Sequence, residues 1–380
     1  MTTANLSRRK LIYLADMRLP TDWAHGIQIM KMCESFALAG IAVELVVPRR
    51  FNKIKQDPFS YYNIRHRFKI TKLPCIDLMP LSNSAFIFLL QKFSFLISAR
   101  VYLSFKKFYI LYTREHWAGL FFPKVALEIH VLPVKIKTID IAIWRRARAL
   151  IVLTNFIKQK IVAARIAADK ILIAPDGVDA ADFNLPLSPA QARQALDLPA
   201  DKKLVIYSGS LSLYSWKGVD ILLKAAHYLP DNVLVVLVGG SEAEIQSIKS
   251  KITTDNVLLV GRQPYAKIPY YLKAADVLAL PNKSGDVMSE QYTSPLKMFE
   301  YMASGRPIVA SDLPSLREVL NEDNALLVPP GDPLALARGI MQTVNDRETA
   351  EHRAARACQD VERYSWQKRA QNILNLIQSK

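Results

Sequence analysis

Lys10 to Ala15 (KLIYLA) is a short apolar run, the pattern of a strand buried on both faces. A polar loop, Asp16 to His25, follows it. From Gly26 the spacing turns helical, with Ile27, Met30, Cys33, Phe36 and Ala37 along one stripe and Gly40 placed to end the helix. Ile41 to Val47 is the next strand. Strand, loop, helix and strand in this order predict the first unit of a doubly wound parallel sheet.

The second half repeats the plan. Strands are predicted at Lys203–Tyr207, Val233–Val238, Val257–Val260, Val277–Leu280 and Pro307–Ala310. Helices are predicted at Val219–Tyr228, Ala266–Ala274 and Pro295–Ser304, with Ser208–Gly218 as a loop of small residues. This alternation predicts an α/β protein of two Rossmann-like domains, residues 1–185 and 186–365, joined through the proline-bearing stretch 184–201. A last helix, 366–380, is free to pack on either domain and is assigned back onto the first. The segment 85–105 is apolar apart from a narrow stripe of Gln91, Ser94 and Ser98. It predicts a mostly buried helix, with a membrane-touching helix flanked by Lys92, Arg100, Lys106 and Lys107 as the alternative.

Length agrees with two domains, since 380 residues exceed one ordinary domain. With 51% hydrophobic and 22% charged residues a packed core is expected and wholesale disorder is excluded. Cys33, Cys75 and Cys358 lie far apart without a CxxC, against a disulfide scaffold or a cysteine zinc site. The polar residues inside 85–105 make it a poor membrane span, and Leu11–Ala15 is too short for a signal peptide's core. The expectation is a cytoplasmic protein.

Charge adds more. The net formal charge is +16, and residues 1–183 hold 28 Lys and Arg against 13 Asp and Glu, so nearly all the excess lies in the first half. Such a half attracts a polyanion: an anionic lipid surface, a phosphorylated substrate or nucleic acid. No nucleic-acid motif accompanies it, so nucleic acid is not expected as a partner.

The segment Ser294–Ser311 (SPLKMFEYMASGRPIVAS) is the richest in candidate chemistry. Ser294 reads as an N-cap and Pro295 as the first helical residue, so the helix opens with free backbone N–H groups, a ready phosphate site. Glu300 lies further along and suits hydrogen bonds from the vicinal hydroxyls of a ribose. In the loop SGSLSLYSWKG, Gly209 and Gly218 let a backbone approach a ligand, and Lys217 is a counter-charge for a diphosphate. GxxxxGK[ST], GxGxxG, Asp-x-Asp and metal-spaced histidines are all absent, so no metal site is expected, and cations and helix dipoles must neutralise any leaving group.

Taken together, these motifs resemble glycosyltransferases of the two-Rossmann (GT-B) type, most like the retaining enzymes of glycosyltransferase family 4. The resemblance spans nearly the whole chain. It rests on LIVLTNFIKQKI and KILIAPDGVDAADF (within 150–183), YSGSLSLYSWKGVDILLKAA (207–226), VGRQPYAKIPYYLKAADVLALP (260–281), SPLKMFEYMASGRPIVASDLPSLREVL (294–320) and LLVPPGDP (326–333). It implies two domains facing a central cleft, with the acceptor on the first and a UDP- or GDP-sugar donor on the second. It implies Lys217 on the donor diphosphate and Glu300, the second Glu of an EX7E motif, on its ribose. Backbone N–H groups in the stretch opened by Pro295, those of Leu296 and Lys297, would face the phosphates, His130 would contact the transferred sugar, and Gly26 would stand in the glycine-rich loop after the first strand. The chain departs from that pattern in two places. Tyr292 stands where the first Glu is usual, with Glu290 nearby but out of register. Ser210 replaces the usual Arg, leaving Arg262 or Lys297 to supply the cation.

The expected function is therefore transfer of a sugar from a nucleotide-sugar to a glycan or lipid-linked acceptor, with retention and without metal, in cell-surface polysaccharide or glycolipid synthesis. The expected location is the cytoplasm, at the inner face of an anionic membrane, with the protein a monomer and no cofactor beyond the co-substrate. The alternatives are a sugar-nucleotide epimerase on the same fold and a basic scaffold for nucleic acid or membrane.

Overall fold

The structure is a computed structural model and describes residues 10–79, 84–108, 110–211 and 214–380. It separates into two compact units. One runs up to Pro175 and includes Trp366–Lys380; the other is Asp176–Ser365. The division falls earlier in the chain than residue 185, where the prolines drew it.

In the first unit, strands β1 (Lys10–Leu14), β2 (Ala42–Pro48), β3 (Lys69–Leu73), β4 (Ile110–Thr113), β5 (Ala126–Ile129), β6 (Ala149–Val152) and β7 (Ile171–Ile173) form one sheet in the order β3-β2-β1-β4-β5-β6-β7. Every pair is parallel. In the second, β8 (Lys203–Ser208), β9 (Val233–Val238), β10 (Val257–Gly261), β11 (Val277–Leu280), β12 (Ile308–Ser311) and β13 (Leu326–Val328) order as β10-β9-β8-β11-β12-β13, again all parallel. The runs that predict β1, β2, β8, β9, β11 and β12 are almost wholly apolar because these strands are covered on both faces. On β8, Leu204 and Ile206 enter one core cluster, while Val205 and Tyr207 enter the cluster on the opposite face. In both sheets the order reverses beside the first strand, β1 or β8, which puts the loops at that strand's C-terminal end where α/β proteins build sites.

Two helices depart from the sequence reading. The Ala24–Leu38 helix is buried around nearly its whole girth, including Gln28, Lys31 and Glu34, rather than along one stripe. The reason is a long-range partner: the Trp366–Gln378 helix returns to pack on it. The Ala85–Ser104 helix is not mostly buried. Gln91, Phe95, Leu96, Ala99 and Leu103 are its buried residues. Gln91 Nε2 donates to Asp16 (2.9 Å), Tyr102 donates to Glu44 (2.6 Å), and Lys92 pairs with Glu115 (2.8 Å). The polar groups point to the sheet, and Phe86, Leu89, Ile97 and Val101 are left in solvent.

Candidate functional site

In the second unit the site grows from the end of β8. After Ser208 the chain turns at Gly209, and a Cβ built on Gly239, at the end of β9, would lie 2.1 Å from the Gly209 carbonyl oxygen. Only glycine permits that approach. The loop continues through Ser210 and Leu211 (Ser212 and Leu213 lie outside the described residues) to a short turn at Ser215–Lys217. Gly218 then adopts φ +70° and opens the Val219–Ala226 helix; a side chain there would run into the carbonyl oxygen of Pro281.

Two lysines converge on this loop. Lys217 Nζ donates to Ser210 Oγ at 2.7 Å and lies over the rings of Tyr214 and Trp216. Lys217 therefore meets Ser210 directly, at the position where Arg262 or Lys297 was expected to compensate. Lys297 Nζ sits 3.6 Å from the centre of the Tyr207 ring and against Gly209. That nitrogen is buried and has no hydrogen-bond partner among the described residues. Burial pulls the Lys217 ammonium down to about 8. Burial, reinforced by the charge of Lys217, holds Lys297 well below the usual lysine range. Two desolvated cations side by side, one lacking a partner, make a site that gains by taking up an anion.

Lys297 lies in the first turn of the Leu296–Ala303 helix, which carries Glu300 one turn further on. Glu300 is buried, and Tyr265 donates to its Oε1 at 3.0 Å. Burial pushes this carboxyl up to about 7, against the Tyr265 bond and the Lys297 charge. Tyr301 braces the other side: its hydroxyl accepts from the Ser208 N–H at 2.8 Å. Ser294 is not the N-cap. The helix begins one residue later, with Pro295 in the cap position and no side-chain cap, while Ser294 Oγ accepts from the Asp176 N–H at 3.1 Å. An uncapped first turn at Leu296 and Lys297 thus stands beside the lysine pair.

The remaining second-unit candidates lie at its margins. Arg262 is exposed and helps line a 510 Å³ cavity with Gly240, Ser241, Glu242 and Ile245. Tyr292 closes the Met288–Tyr292 turn and is half-buried. Glu290 accepts the Gly285 N–H at 2.8 Å, so its carboxylate is engaged in closing its own loop.

In the first unit, His130 follows β5 and is held by Glu128. Glu128 is fully buried; one of its oxygens accepts from Gln28 Nε2 (2.7 Å), His130 Nε2 (2.6 Å) and Arg369 Nη2 (2.8 Å), and the other from the Tyr112 hydroxyl. Burial alone would raise this carboxyl, yet Arg369, then His130 and Arg114, keep it well below the usual carboxylate range. Because Glu128 is an acceptor, Nε2 of His130 carries the proton and Nδ1 stays an acceptor. Burial and the nearby Arg114 take His130 down to about 4, so the ring is neutral near pH 7. A neutral imidazole in fixed orientation suits a hydrogen bond to a sugar hydroxyl. Gly26 lies in the first turn of the Ala24–Leu38 helix, and the space of its missing side chain is filled by the Tyr62 hydroxyl, which donates to Thr21 O and accepts from Thr21 N, both at 2.7 Å. Its smallness serves the packing of the loop after β1.

Sequence reasoning missed Tyr265, Glu128, Arg114 and Arg369. Only Glu128 carried a signal: an acid alternating with the apolar residues of a buried strand must have a partner.

Comparison with known proteins follows the same outline. Residues 190–360 match the family model for glycosyl transferases group 1. A D-inositol 3-phosphate glycosyltransferase of Xylanimonas cellulosilytica is 31% identical over 221 residues, 55% of this chain and 51% of that one. A phosphatidyl-myo-inositol mannosyltransferase of Mycobacterium leprae is 29% identical over 200 residues, half of each chain. The chain thus spans about half the length of the curated relatives it matches. Among solved structures, sucrose-phosphate synthase from Thermosynechococcus elongatus superposes with a TM-score of 0.77 at 22% identity, covering 98% of this chain and 99% of that one. Anabaena HepE in complex with UDP and glucose gives 0.76 at 17% identity, with 98% and 100% covered. The second unit thus matches that family model over residues 190–360, and the chain has the GT-B fold of these solved structures.

Proposed function

We propose that the protein transfers a sugar from a nucleoside-diphosphate sugar to a glycan or lipid-linked acceptor, with retention of anomeric configuration and without a metal ion. The observation that carries this reading is the half-buried pair Lys217 and Lys297 around Gly209, one helical turn from the buried carboxyl of Glu300. Similarity to a structure described as bound to UDP and glucose supports a nucleotide-sugar donor.

The chemistry follows from the charges. The bond between the anomeric carbon and the diphosphate oxygen breaks, and its electron pair leaves with the diphosphate. Lys217, Lys297 and the N–H groups that open the Leu296–Ala303 helix meet this growing negative charge in a desolvated setting, where fixed dipoles and cations act most strongly. The acceptor hydroxyl oxygen bonds the anomeric carbon on the face the diphosphate leaves, and its proton passes to the departing phosphate oxygen. Glu300 receives the ribose hydroxyls. The two lysines supply the positive charge a divalent ion would otherwise bring. The basic first half suits an anionic acceptor, and a cytoplasmic location at an anionic membrane face fits it.

The test is calorimetric titration of the full chain with UDP, GDP and ADP and their common sugar conjugates, without metal and then with EDTA. Micromolar binding of one nucleotide, unchanged by EDTA, is expected. Binding of none of them, or binding that EDTA abolishes, overturns the reading.

A further inference from the structure

The Ala85–Ser104 helix is apolar on both faces, and several of its few polar side chains turn inward while large apolar ones stay in solvent. Its polar side chains bond inward: Gln91 to Asp16, Lys92 to Glu115, Ser94 to the Ile76 N–H (3.0 Å) and Tyr102 to Glu44. Its outward face carries Phe86, Leu89, Ile97 and Val101, spaced three or four residues apart or a multiple of that, with Phe105 beyond its end. Phe86 is 73% exposed and Phe105 84%. Singly, exposed apolar residues are ordinary; aligned along one helix face they mark a contact surface.

The charge on this face has one sign. From residue 84 to 108 the sequence contains no Asp or Glu, while Arg100 and Lys107 are exposed and Lys106 lies over the Tyr102 ring. The helix packs on the Ala118–Phe121 turn, which packs on the Thr138–Arg146 helix. Just before that helix, the stretch 131–139 again combines exposed Val131, Val134 and Ile139 with exposed Lys135 and Lys137, and again holds no carboxylate.

We propose that this face is the membrane-docking surface of the protein, with the Ala85–Ser104 helix lying in the plane of an anionic bilayer: apolar side chains enter the headgroup boundary, and Arg100, Lys106 and Lys107 meet lipid phosphates. The proposal deepens the membrane-peripheral reading above by naming its surface. The helix is long and apolar enough to cross a bilayer, at mean hydropathy 1.5. Crossing would tear Gln91, Lys92 and Tyr102 from Asp16, Glu115 and the buried Glu44, partners on three strands or their loops, so the helix lies flat rather than spans. A second copy of the chain is disfavoured as the occupant, because a two-fold contact through this face would set Arg100, Lys106 and Lys107 against like charges.

The experiment is co-sedimentation of the full chain with vesicles containing phosphatidylglycerol and with vesicles of phosphatidylcholine alone, at low and high salt. Binding to the anionic vesicles is expected, weaker by at least about ten-fold on the neutral ones and at high salt. Phe86→Ser/Ile97→Ser/Val101→Ser is expected to lose about ten-fold or more in affinity while keeping its far-UV circular dichroism and its nucleotide titration. Arg100→Glu/Lys107→Glu, which leaves the apolar face intact, is expected to lose binding to the anionic vesicles only. The proposal is overturned if the wild type does not sediment, if both variants bind as wild type does, or if light scattering shows a dimer that the serine variant dissolves. Nucleotide titration of the same samples separates failure of this proposal from failure of the transferase reading.

Discussion

Glu300→Gln tests both the burial of this carboxyl and its proposed contact with the nucleotide. The carboxyl is buried with one hydrogen bond from Tyr265, and its pKa rises from 4.5 to about 7. Its folded pKa lies above its unfolded value, so the native state holds the proton to higher pH than the unfolded chain does. The resulting stability is fully present below about pH 4.5 and is lost as pH rises through about 7. At 1.36 kcal/mol per pH unit, this rise makes the ionised carboxylate cost about 3 kcal/mol above neutrality. Glutamine keeps the acceptor for Tyr265 and has no charge to bury. Urea unfolding of wild type and Glu300→Gln, followed through the transition of the second unit, is expected to give nearly equal stabilities near about pH 5 and an advantage to Gln approaching about 3 kcal/mol near pH 8. The same variant is expected to bind nucleoside diphosphate more weakly, since its amide cannot accept two ribose hydroxyls as a carboxylate does. A difference in stability that is constant with pH, or that vanishes near pH 8, refutes the argument that burial governs this group.

Two further outcomes follow from the charged clusters. Arg369→Leu removes the cation that holds Glu128 and leaves a buried carboxylate on β5. A loss of about 3–5 kcal/mol is expected in denaturation, and a loss under about 1 kcal/mol would show that Gln28, Tyr112 and His130 suffice. Lys217, lowered by burial to about 8, gains a proton when an anion binds beside it. Nucleoside diphosphate affinity is therefore expected to fall as pH rises through about 8, and this slope should flatten in Lys217→Met; a wild-type affinity independent of pH across that range removes Lys217 from the diphosphate.

By itself the sequence determined the alternation of strands and helices, and with it two parallel sheets. An apolar run buried on both faces is a local signal, and all the strands it predicts form, displaced by no more than a residue at either end. It also marked the loop after β8, because Gly209, Gly218 and Lys217 stand close together along the chain. What it could not determine depends on partners distant in sequence. Ser294 looks like an N-cap until the Asp176 N–H arrives from 118 residues away. Tyr265 becomes part of the Glu300 site only because β10 and the turn after it pass beside the Leu296–Ala303 helix. The Ala24–Leu38 helix is buried on nearly every side because Trp366–Gln378 returns to cover it, and Arg369 on that helix reaches Glu128 across 241 residues. For Ala85–Ser104 the periodicity was ambiguous because both faces are apolar. Only the tertiary contacts at Asp16, Glu44 and Glu115 choose which face turns inward, since a buried polar group must find its hydrogen bond and an exposed apolar one need not be hidden.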